Sequence, residues 1–321
     1  MIRTAECVSP MHPDKMCDRI SDTLLDLHLQ QDPNSRVAIE TCGGMGEVYI
    51  TGEVTSTAIV TRENIVKVVH DVTTDDTINV IININSQSPE IANGVDTGGA
   101  GDQGIMIGYA CRDNKQYLPQ EYFLSRELNK FIFDKYPYDG KTQVTMNGNS
   151  LRVVSSFQNA PGKELQKLVM EYFEDYSQYH IESLHCNPAG DWNIGGFTAD
   201  AGVTGRKLAV DNYGPRVPLG GGAFSGKDST KVDRSAAYMG RRIAVDILEK
   251  RPEVKEVMVQ LAYAIGYDQP LQATAIVDGE HEFIKGYDLS PKGIINFLEL
   301  RKPIFGETAG FGHMGAGFKW K

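Results

Sequence analysis

The sequence predicts an α+β protein built from three similar α-β-β-α subdomains, with helices on one face of each sheet. The first observation is an order of elements, helix, strand, strand, helix, that is present near the amino terminus and recurs twice along the 321-residue chain. The second is that helices lie on one face of each strand pair, which is typical of α+β architecture rather than of a doubly wound parallel sheet. We therefore expect interleaved N-terminal, central and C-terminal subdomains over residues 1–96, 97–190 and 191–321.

The first unit begins with a helix over residues 13–31, because Met16, Ile20, Leu24 and Leu27 recur at helical spacing. Its other elements are predicted as strands at 36–42 and 47–55, a helix at 62–72 and a strand at 77–85.

The second and third units repeat this order. The second is predicted as a helix at 119–135, strands at 142–146 and 151–158, and a helix at 163–176. The third is predicted as a helix at 229–250, strands at 256–265 and 271–277, and a helix at 291–300.

Composition and charge argue against a nucleic-acid-binding, membrane-binding or secreted protein. The net charge of −10 and the pI of about 5.2 argue against nucleic-acid or anionic-membrane binding, which depends on clustered Lys and Arg. The first residues, MIRTAECVSP, lack the apolar core of a signal peptide. The five scattered cysteines form no C-x-x-C pair and are expected to be buried free thiols. These features predict a cytoplasmic protein.

The stretch GGGAFSGKDSTKVDR almost matches a Walker phosphate loop, with Gly221, Gly226 and Lys227 in the required positions. Asp228 stands where the loop needs a hydroxyl, and the preceding DNYGPRVPLG has no strand pattern. A Gly-rich loop entering a helix still favours an anion, and Ser229 is the expected N-cap of that helix.

The stretch GAGDQG at 99–104 fits the dinucleotide fingerprint, which has meaning only between a strand and a helix. Here it precedes IMIGYA, which has a strand pattern, so a Rossmann site is rejected.

Cationic side chains recur in Gly-rich or element-terminal segments, where ligand-binding residues concentrate. They are Lys15, Lys141, Arg206, Lys207, Lys227 and Lys231. A triphosphate needs such a cluster, together with carboxylates such as Asp14 and Asp233 for Mg²⁺. Asp18, Asp22 and Asp26 follow Asp14 at four-residue intervals and are expected to form a solvated helix face.

Four segments, HPDK, GAGDQG, GGFTADAGVTGRKLAVDNYG and GGGAFSGKDSTKVDRSAAY, resemble the signature segments of the S-adenosylmethionine synthetase (methionine adenosyltransferase) family. The likeness runs in order from Glu6 to the carboxyl-terminal ETAGFGHMG. It implies three subdomains about a pseudo-threefold axis. It also implies a homodimer, alone or as a dimer of dimers, with active sites between subunits. In the implied reaction the methionine sulfur attacks C5′ of ATP, and the released triphosphate is cleaved to pyrophosphate and phosphate.

The resemblance also implies individual roles. The implied catalytic residues are His12, Lys141, Lys227 and Lys231. The implied ATP contacts are His12, Lys15, Asp139, Lys141, Asp191, Trp192, Asp200, Arg206, Lys207, Ala223 and Lys227. The implied methionine contacts are Glu53, Gln87, Asp200 and Lys231. Two Mg²⁺ ions per site are expected, with Asp14 and Asp233 as ligands, and Glu40 is expected to bind K⁺.

The chain departs from the family pattern before GAGDQG, where residues 96–98 are all that remain of the far half of a longer loop. A leakier or slower enzyme is the expected consequence. Asp191 stands where a basic residue is common beside the adenine. Two alternatives stay open. One is a Mg-ATP phosphotransferase, which would not need the methionine pocket, and the other is a catalytically weak or silent regulatory subunit.

Overall fold

The structure, a computed structural model, describes residues 1–86, 99–315 and 317–321. Within these ranges the framework is three four-stranded sheets. The strands are β1 (Ile2–Val8), β2 (Arg36–Gly44), β3 (Glu47–Thr55), β4 (Asn79–Asn85), β5 (Gly104–Cys111), β6 (Gly140–Asn147), β7 (Ser150–Phe157), β8 (His180–Cys186), β9 (Gly202–Val203), β10 (Glu256–Tyr263), β11 (Gln272–Val277) and β12 (Glu280–Phe283). The helices are α1 (Pro13–Gln31), α2 (Arg62–Thr73), α3 (Gln120–Phe133), α4 (Gly162–Glu174), α5 (Leu208–Asp211), α6 (Val232–Lys250), α7 (Pro291–Leu298) and α8 (Phe305–Thr308).

Each sheet is covered on one face by helices of its own unit. Helices α1 and α2 pack on the sheet β4-β3-β2-β9, and α3 and α4 pack on the sheet β1-β6-β7-β8. Helix α6 packs on the sheet β12-β11-β10-β5, and α7 lies against α6. This arrangement confirms the predicted α+β class with three helix-covered units.

The three units exchange strands in a cyclic order. Strand β1 pairs antiparallel with β6 of the central sheet, and β5 pairs antiparallel with β10 of the carboxyl-terminal sheet. Strand β9 returns to pair with β2 in the amino-terminal sheet. Each sheet therefore contains one strand contributed by another of the three units, and backbone hydrogen bonds hold the subdomains together.

Helix α1 has the bounds that the sequence predicts. Pro13 occupies its first turn, and the side chain of His12 caps it by accepting a hydrogen bond from the Asp14 N–H. Met16, Ile20 and Leu24 are at most 2% exposed and form its apolar stripe toward β2. The amino-terminal end of α1 therefore has a fixed position relative to the first sheet.

All five cysteines are free, as predicted, but only Cys7, Cys17 and Cys111 are buried. Cys186 is half-buried and Cys42 is exposed, because Cys42 lies on the face of β2 that carries no helix. Across the described ranges, no helix combines the length and the apolar character needed to cross a bilayer.

Candidate active site

The predicted site residues form two clusters on this chain. The helix-start cluster surrounds the beginning of α1 and contains His12, Asp14, Asp139, Lys141, Trp192, Asp200, Arg206 and Lys207. The glycine-loop cluster consists of loop 220–228 and the beginning of α6, with Ala223, Lys227, Asp228, Lys231 and Asp233.

Asp14 is the centre of the helix-start cluster. Its side chain is 1% exposed, and Oδ1 accepts a hydrogen bond of 2.9 Å from the backbone N–H of Val203. The ammonium group of Lys207 lies 2.5 Å from Oδ2, and Arg206 Nε lies 3.4 Å from Oδ1. Burial raises the pKa of Asp14, but the hydrogen bonds from Lys207 and Val203 outweigh burial and lower it. The carboxylate is therefore ionised and holds two cations at the cluster.

His12 is held as a neutral imidazole. Burial lowers its pKa, and the positive charge of Lys207 lowers it further, to about 4. Its Nδ1 accepts the Asp14 N–H at 3.2 Å, so the ring proton of this tautomer is on Nε2. A neutral Nε2–H can donate a hydrogen bond to an oxygen that gains negative charge.

We expect nuclear magnetic resonance to find this tautomer. In long-range ¹H–¹⁵N spectra of the ligand-free protein, the His12 ring should stay neutral with its proton on Nε2 down to about pH 5, since its pKa is about 4. The signals are assigned by their loss in a His12→Gln variant. A His12 ring that protonates near pH 6.5, the usual value for histidine, would contradict the assignment.

Trp192 and Asp139 lie together on the other side of this cluster. A Cβ atom at Gly195 would meet Trp192 Cζ3 at 2.8 Å and Asp139 Cβ at 3.0 Å, so both side chains contact the same glycine. Asp139 Oδ2 accepts a 3.0 Å hydrogen bond from the Gly196 N–H. The half-buried Trp192 is thus an aromatic surface next to the Asp139 carboxylate, which suits a purine base.

Lys141 and Asp200 are exposed members of the cluster, as is Arg206. Lys141 is the second residue of β6. Its Nζ lies 3.6 Å from Glu6 Oε2, and its positive charge lowers the pKa of His12. Asp200 raises the pKa of His12 and accepts a hydrogen bond from the Ala201 N–H. Both side chains are therefore available to a bound molecule.

The glycine-loop cluster contains two close ion pairs. Lys227 Nζ lies 2.6 Å from Asp233 Oδ2, and Lys231 Nζ lies 2.8 Å from Asp228 Oδ1. A Cβ atom at Gly222 would approach Asp233 Oδ1 to 2.2 Å, so the loop folds directly over that carboxylate. Ala223 contacts Gly205, next to Arg206, so the glycine loop packs against the segment that carries Arg206 and Lys207.

The loop is held by the edge of β2 rather than by a strand that runs into it. Ile39 N–H donates to Gly226 O at 3.0 Å, and Asp228 N–H donates to Val37 O at 3.0 Å. Gly226 has a φ of +80°, and a Cβ there would lie 1.8 Å from Ile39 O, so only glycine fits. This geometry confirms that the near-Walker match is a different kind of loop. The rejection of the dinucleotide motif is also confirmed, because GAGDQG leads into strand β5, which begins at Gly104, and not into a helix.

The expected N-cap at Ser229 is wrong. Helix α6 begins at Val232, and Lys231 is the cap residue, without a side-chain hydrogen bond. The side chain that binds the backbone before the helix is Asp228, not Ser229. Its Oδ2 accepts the Thr230 N–H and makes a local turn that ends before α6 begins.

The strand register brings Glu53 toward the glycine-loop cluster. Ala38 pairs with Glu53 on one side and forms a bridge with Lys227 on the other. Strand spacing then puts the Cα atoms of Glu53 and Lys227 about 10 Å apart, with both side chains on the sheet face that lacks helices. Glu40 is exposed on this same face, two residues from Ala38. Gln87 lies outside the described residues, as do residues 96–98 of the shortened loop.

The expected solvated face of α1 is also wrong. Asp14, Asp18 and Asp22 are at most 1% exposed, and each accepts a backbone N–H, from Val203 in β9, from Gly205 and from Gly226 of the glycine loop, respectively. The half-buried Asp26 accepts two more N–H groups, from Phe305 and Gly306. We call these four residues the aspartate stripe. The backbone N–H groups that bind these carboxylates could not be predicted from the sequence of α1 alone. The sequence nevertheless indicated that the aspartates have binding partners. Aspartate is a poor helix former, so its repeated use inside a helix indicates that the side chains bind something.

Two predicted ATP contacts are used for internal structure. Lys15 is 1% exposed, and its ammonium lies 2.7 Å from Asp211 Oδ1 and 3.1 Å from Asp18 Oδ2, so it does not face the cluster. Asp191 Oδ1 accepts the Gly162 N–H at 2.8 Å, at the beginning of α4. The structure does not support a phosphate contact for Lys15 or an adenine contact for the Asp191 carboxylate.

A divalent cation fits these clusters only together with phosphates. In the described part of the chain no three His, Cys, Asp or Glu side chains come together as a metal site. Asp14 and Asp233 each supply one carboxylate that is now paired with lysine. Mg²⁺ commonly uses one or two carboxylates plus substrate phosphates, so this donor set suits a metal that arrives with a nucleotide.

The chain matches three family models, the N-terminal domain of S-adenosylmethionine synthetase at residues 1–89, the central domain at 97–191 and the C-terminal domain at 194–321. It is 37% identical to the S-adenosylmethionine synthase of Parvibaculum lavamentivorans, over 99% of this chain and 95% of the relative. It is 39% identical to that of Zymomonas mobilis, over 97% of this chain and 92% of the relative. A solved structure described as an unusual S-adenosylmethionine synthetase from Campylobacter jejuni superposes with a TM-score of 0.89 at 31% identity, covering 99% and 96% of the two chains. With all three domains matched along nearly its whole length, this chain belongs to the S-adenosylmethionine synthetase family.

Proposed function

We propose that this chain forms S-adenosylmethionine from ATP and L-methionine by direct displacement at ribose C5′. The sulfur lone pair forms the S–C5′ bond, and the C5′–O bond breaks with its electron pair leaving on the triphosphate. Water then attacks a phosphorus atom of the triphosphate, which yields pyrophosphate and phosphate. The observation that carries the proposal is the neutral His12 Nε2–H beside two lysine-rich clusters, in a chain of this family.

The thioether is a neutral nucleophile that needs no general base, so the residues of the site have to orient the substrates and stabilise charge on the leaving oxygen. His12 Nε2–H donates to that oxygen. Lys141, Arg206, Lys207 and Lys227 bind the phosphates, and Trp192 stacks on the adenine. Each such charge contact is worth at most about 4 kcal/mol before desolvation at an effective dielectric of about 20. A few contacts that strengthen in the transition state are therefore enough.

For methionine, we propose that Glu53 and Asp200 bind the ammonium group and that Gln87 and Lys231 bind the carboxylate. Lys231 and Glu53 belong to the glycine-loop side of the chain, whereas Asp200 belongs to the helix-start cluster. Zwitterionic methionine would therefore bind between the two clusters, with contacts to both.

We propose a homodimer, alone or as a dimer of dimers, in which each site joins the helix-start cluster of one subunit to the glycine-loop cluster of the other. Along α1, Asp14 of the first cluster and Asp22 below the second are eight residues apart, about 12 Å. The face of the first sheet that lacks helices carries Tyr49 and Ile81, whose exposed fractions are 40% and 42%. Contact across that face would cover apolar surface and complete the site.

We propose Mg²⁺, two ions per site, at Asp14 and Asp233, and K⁺ at Glu40. When bound, the divalent ions would neutralise phosphate charge as it develops. Lys207 and Lys227 would then move from these carboxylates to phosphate oxygens. A cytoplasmic location fits the five unpaired thiols.

A chromatographic assay with ATP, methionine, Mg²⁺ and K⁺ tests the function, with S-adenosylmethionine, pyrophosphate and phosphate measured together. We expect the three products in equal amounts. Formation of ADP would indicate a phosphotransferase instead, and phosphate release without the sulfonium product would indicate a triphosphatase. ATP binding without any turnover would indicate a silent subunit.

A further inference from the structure

We propose that Arg234 and Asp22 are positioning residues for Lys227, and that they act by holding the glycine loop from its buried side. The proposal rests on the function proposed above, because it assigns Lys227 to the phosphates of ATP. Neither residue touches the solvent-facing part of the site, since both side chains are fully buried.

Arg234 uses its whole guanidinium group. Nη1 and Nη2 lie 2.5 Å and 2.9 Å from the two carboxylate oxygens of Asp22. Nε donates to the Tyr238 hydroxyl at 3.0 Å, and Nη2 also donates to the Thr308 hydroxyl at 3.0 Å. The group is planar and over the Phe305 ring, 4.2 Å from the ring centroid. Its orientation is therefore determined on every side.

The same guanidinium group binds the glycine loop directly. Nη1 lies 2.9 Å from the carbonyl oxygen of Phe224 and 3.1 Å from that of Lys227. Asp22 also binds the loop, because its Oδ1 accepts the Gly226 N–H at 2.8 Å. We call the Arg234–Asp22 ion pair with these hydrogen bonds to the loop the clamp. Three backbone groups within four residues are thus fixed by one ion pair.

This clamp determines where the Lys227 side chain can go. Lys227 is flanked by Gly226, whose left-handed φ of +80° allows many other conformations once its hydrogen bonds are lost. Asp233, the partner of Lys227, immediately precedes Arg234 at the beginning of α6. The pair therefore fixes both the loop that carries Lys227 and the helix turn that carries its carboxylate.

A double-mutant cycle tests the proposal, with Arg234→Lys and Lys227→Met made singly and together in the full chain. Lysine keeps the charge of Arg234 but loses the planar fork. We expect Arg234→Lys to lower kcat/KM for ATP about 10²-fold, as a misplaced group can do. In the Lys227→Met background the same change should lower it less than about threefold, since the two residues act as a unit. Equal losses in both backgrounds would mean a general structural role and would overturn the proposal.

Asp26→Asn is the matched control, because Asp26 is the next member of the aspartate stripe but binds Phe305 and Gly306 instead of the glycine loop. It should lower kcat/KM equally with and without Lys227. If Arg234→Lys does not fold, Asp22→Asn takes its place, since it removes the charge that Arg234 pairs with and keeps an acceptor for Gly226.

Hydrogen exchange separates failure of this proposal from failure of the proposed function. Exchange in residues 220–228 should be faster in Arg234→Lys than in wild type, while exchange in the second half of α6 stays unchanged. If the wild type makes no S-adenosylmethionine, the proposed function fails and this measurement alone decides the positioning role. Unchanged exchange in 220–228 overturns the positioning role even if the enzyme is active.

Discussion

Replacing Lys227 by methionine should lower kcat/KM for ATP by about 10²- to 10³-fold, the range seen when one preorganised donor to a developing charge is removed. The variant loses the phosphate contact proposed for Lys227, and because Lys227 Nζ lies 2.6 Å from Asp233 Oδ2, it also leaves that carboxylate without its cation. In free-energy terms the loss is about 3–4 kcal/mol of transition-state stabilisation. The measurement is initial rates of S-adenosylmethionine formation over a range of ATP concentrations.

Two comparisons make this prediction specific. Lys250→Met changes the exposed lysine at the opposite end of α6 and should leave the rates within about twofold of wild type. Folding stability should change little in Lys227→Met, because its ion pair is partly exposed, at 24% and 13%. A Lys227→Met enzyme with wild-type kcat/KM for ATP would remove Lys227 from the phosphate site.

The fold could be predicted where local signals are strong. Helix α1 has the predicted bounds because Pro13 favours its beginning and an apolar stripe runs along it. Strand β1 was not predicted, although it is an integral part of the central sheet. Its pairing with β6 joins Cys7 to Thr142, residues far apart in the chain, and no local pattern specifies such a partner. The cyclic exchange of strands depends on pairings of this kind.

Residues of the candidate site could be proposed from the sequence where they lie in Gly-rich or element-terminal segments. Lys227, Lys207 and Asp14 were identified in this way, and the structure gives each of them a charged partner. Arg234 was missed, because a single arginine inside a predicted helix has no local feature that distinguishes it from a surface residue. Only the folded chain shows that the glycine loop and Asp22 converge on its guanidinium group.

Lys15 is the reverse case, because the sequence assigned it to the phosphate site and the structure places it in the protein interior. It is adjacent to Asp14 in HPDK, which suggested a shared role at the phosphates. Neighbours in a helix do not face each other, because each residue advances about 100° around the axis. Asp14 faces the cluster, whereas Lys15 faces the protein interior and pairs with Asp18, three residues on, and with Asp211.

Replacing Lys15 by methionine should therefore lower the free energy of unfolding by about 3–5 kcal/mol, the cost of leaving buried charge without its partner. The carboxylates of Asp18 and Asp211 are 1% and 6% exposed, so water cannot replace the lost ammonium group. The measurement is urea unfolding of the ligand-free protein at pH 7.5. Lys67→Met is the matched control on α2, since Lys67 and Asp71 form an exposed i,i+4 pair worth about 0.3–0.5 kcal/mol.

The pH dependence of this loss separates buried charge from lost packing. Burial raises the pKa of Asp211 to about 7 even though Lys15 opposes the rise, and it also raises the pKa of Asp18. A carboxyl whose folded pKa exceeds its unfolded value of about 3.9 binds more protons in the folded state, so stability falls as pH rises between those values. Without Lys15 both pKa values rise further, so above pH 7 the folded variant binds more protons than the folded wild type, whereas near pH 5.5 the Asp211 carboxyl is protonated in both. The difference in unfolding free energy between wild type and Lys15→Met should therefore be largest above pH 7 and become smaller toward pH 5.5. A difference that stays constant over this range would mean that Lys15 stabilises the fold through its aliphatic packing and not through its charge.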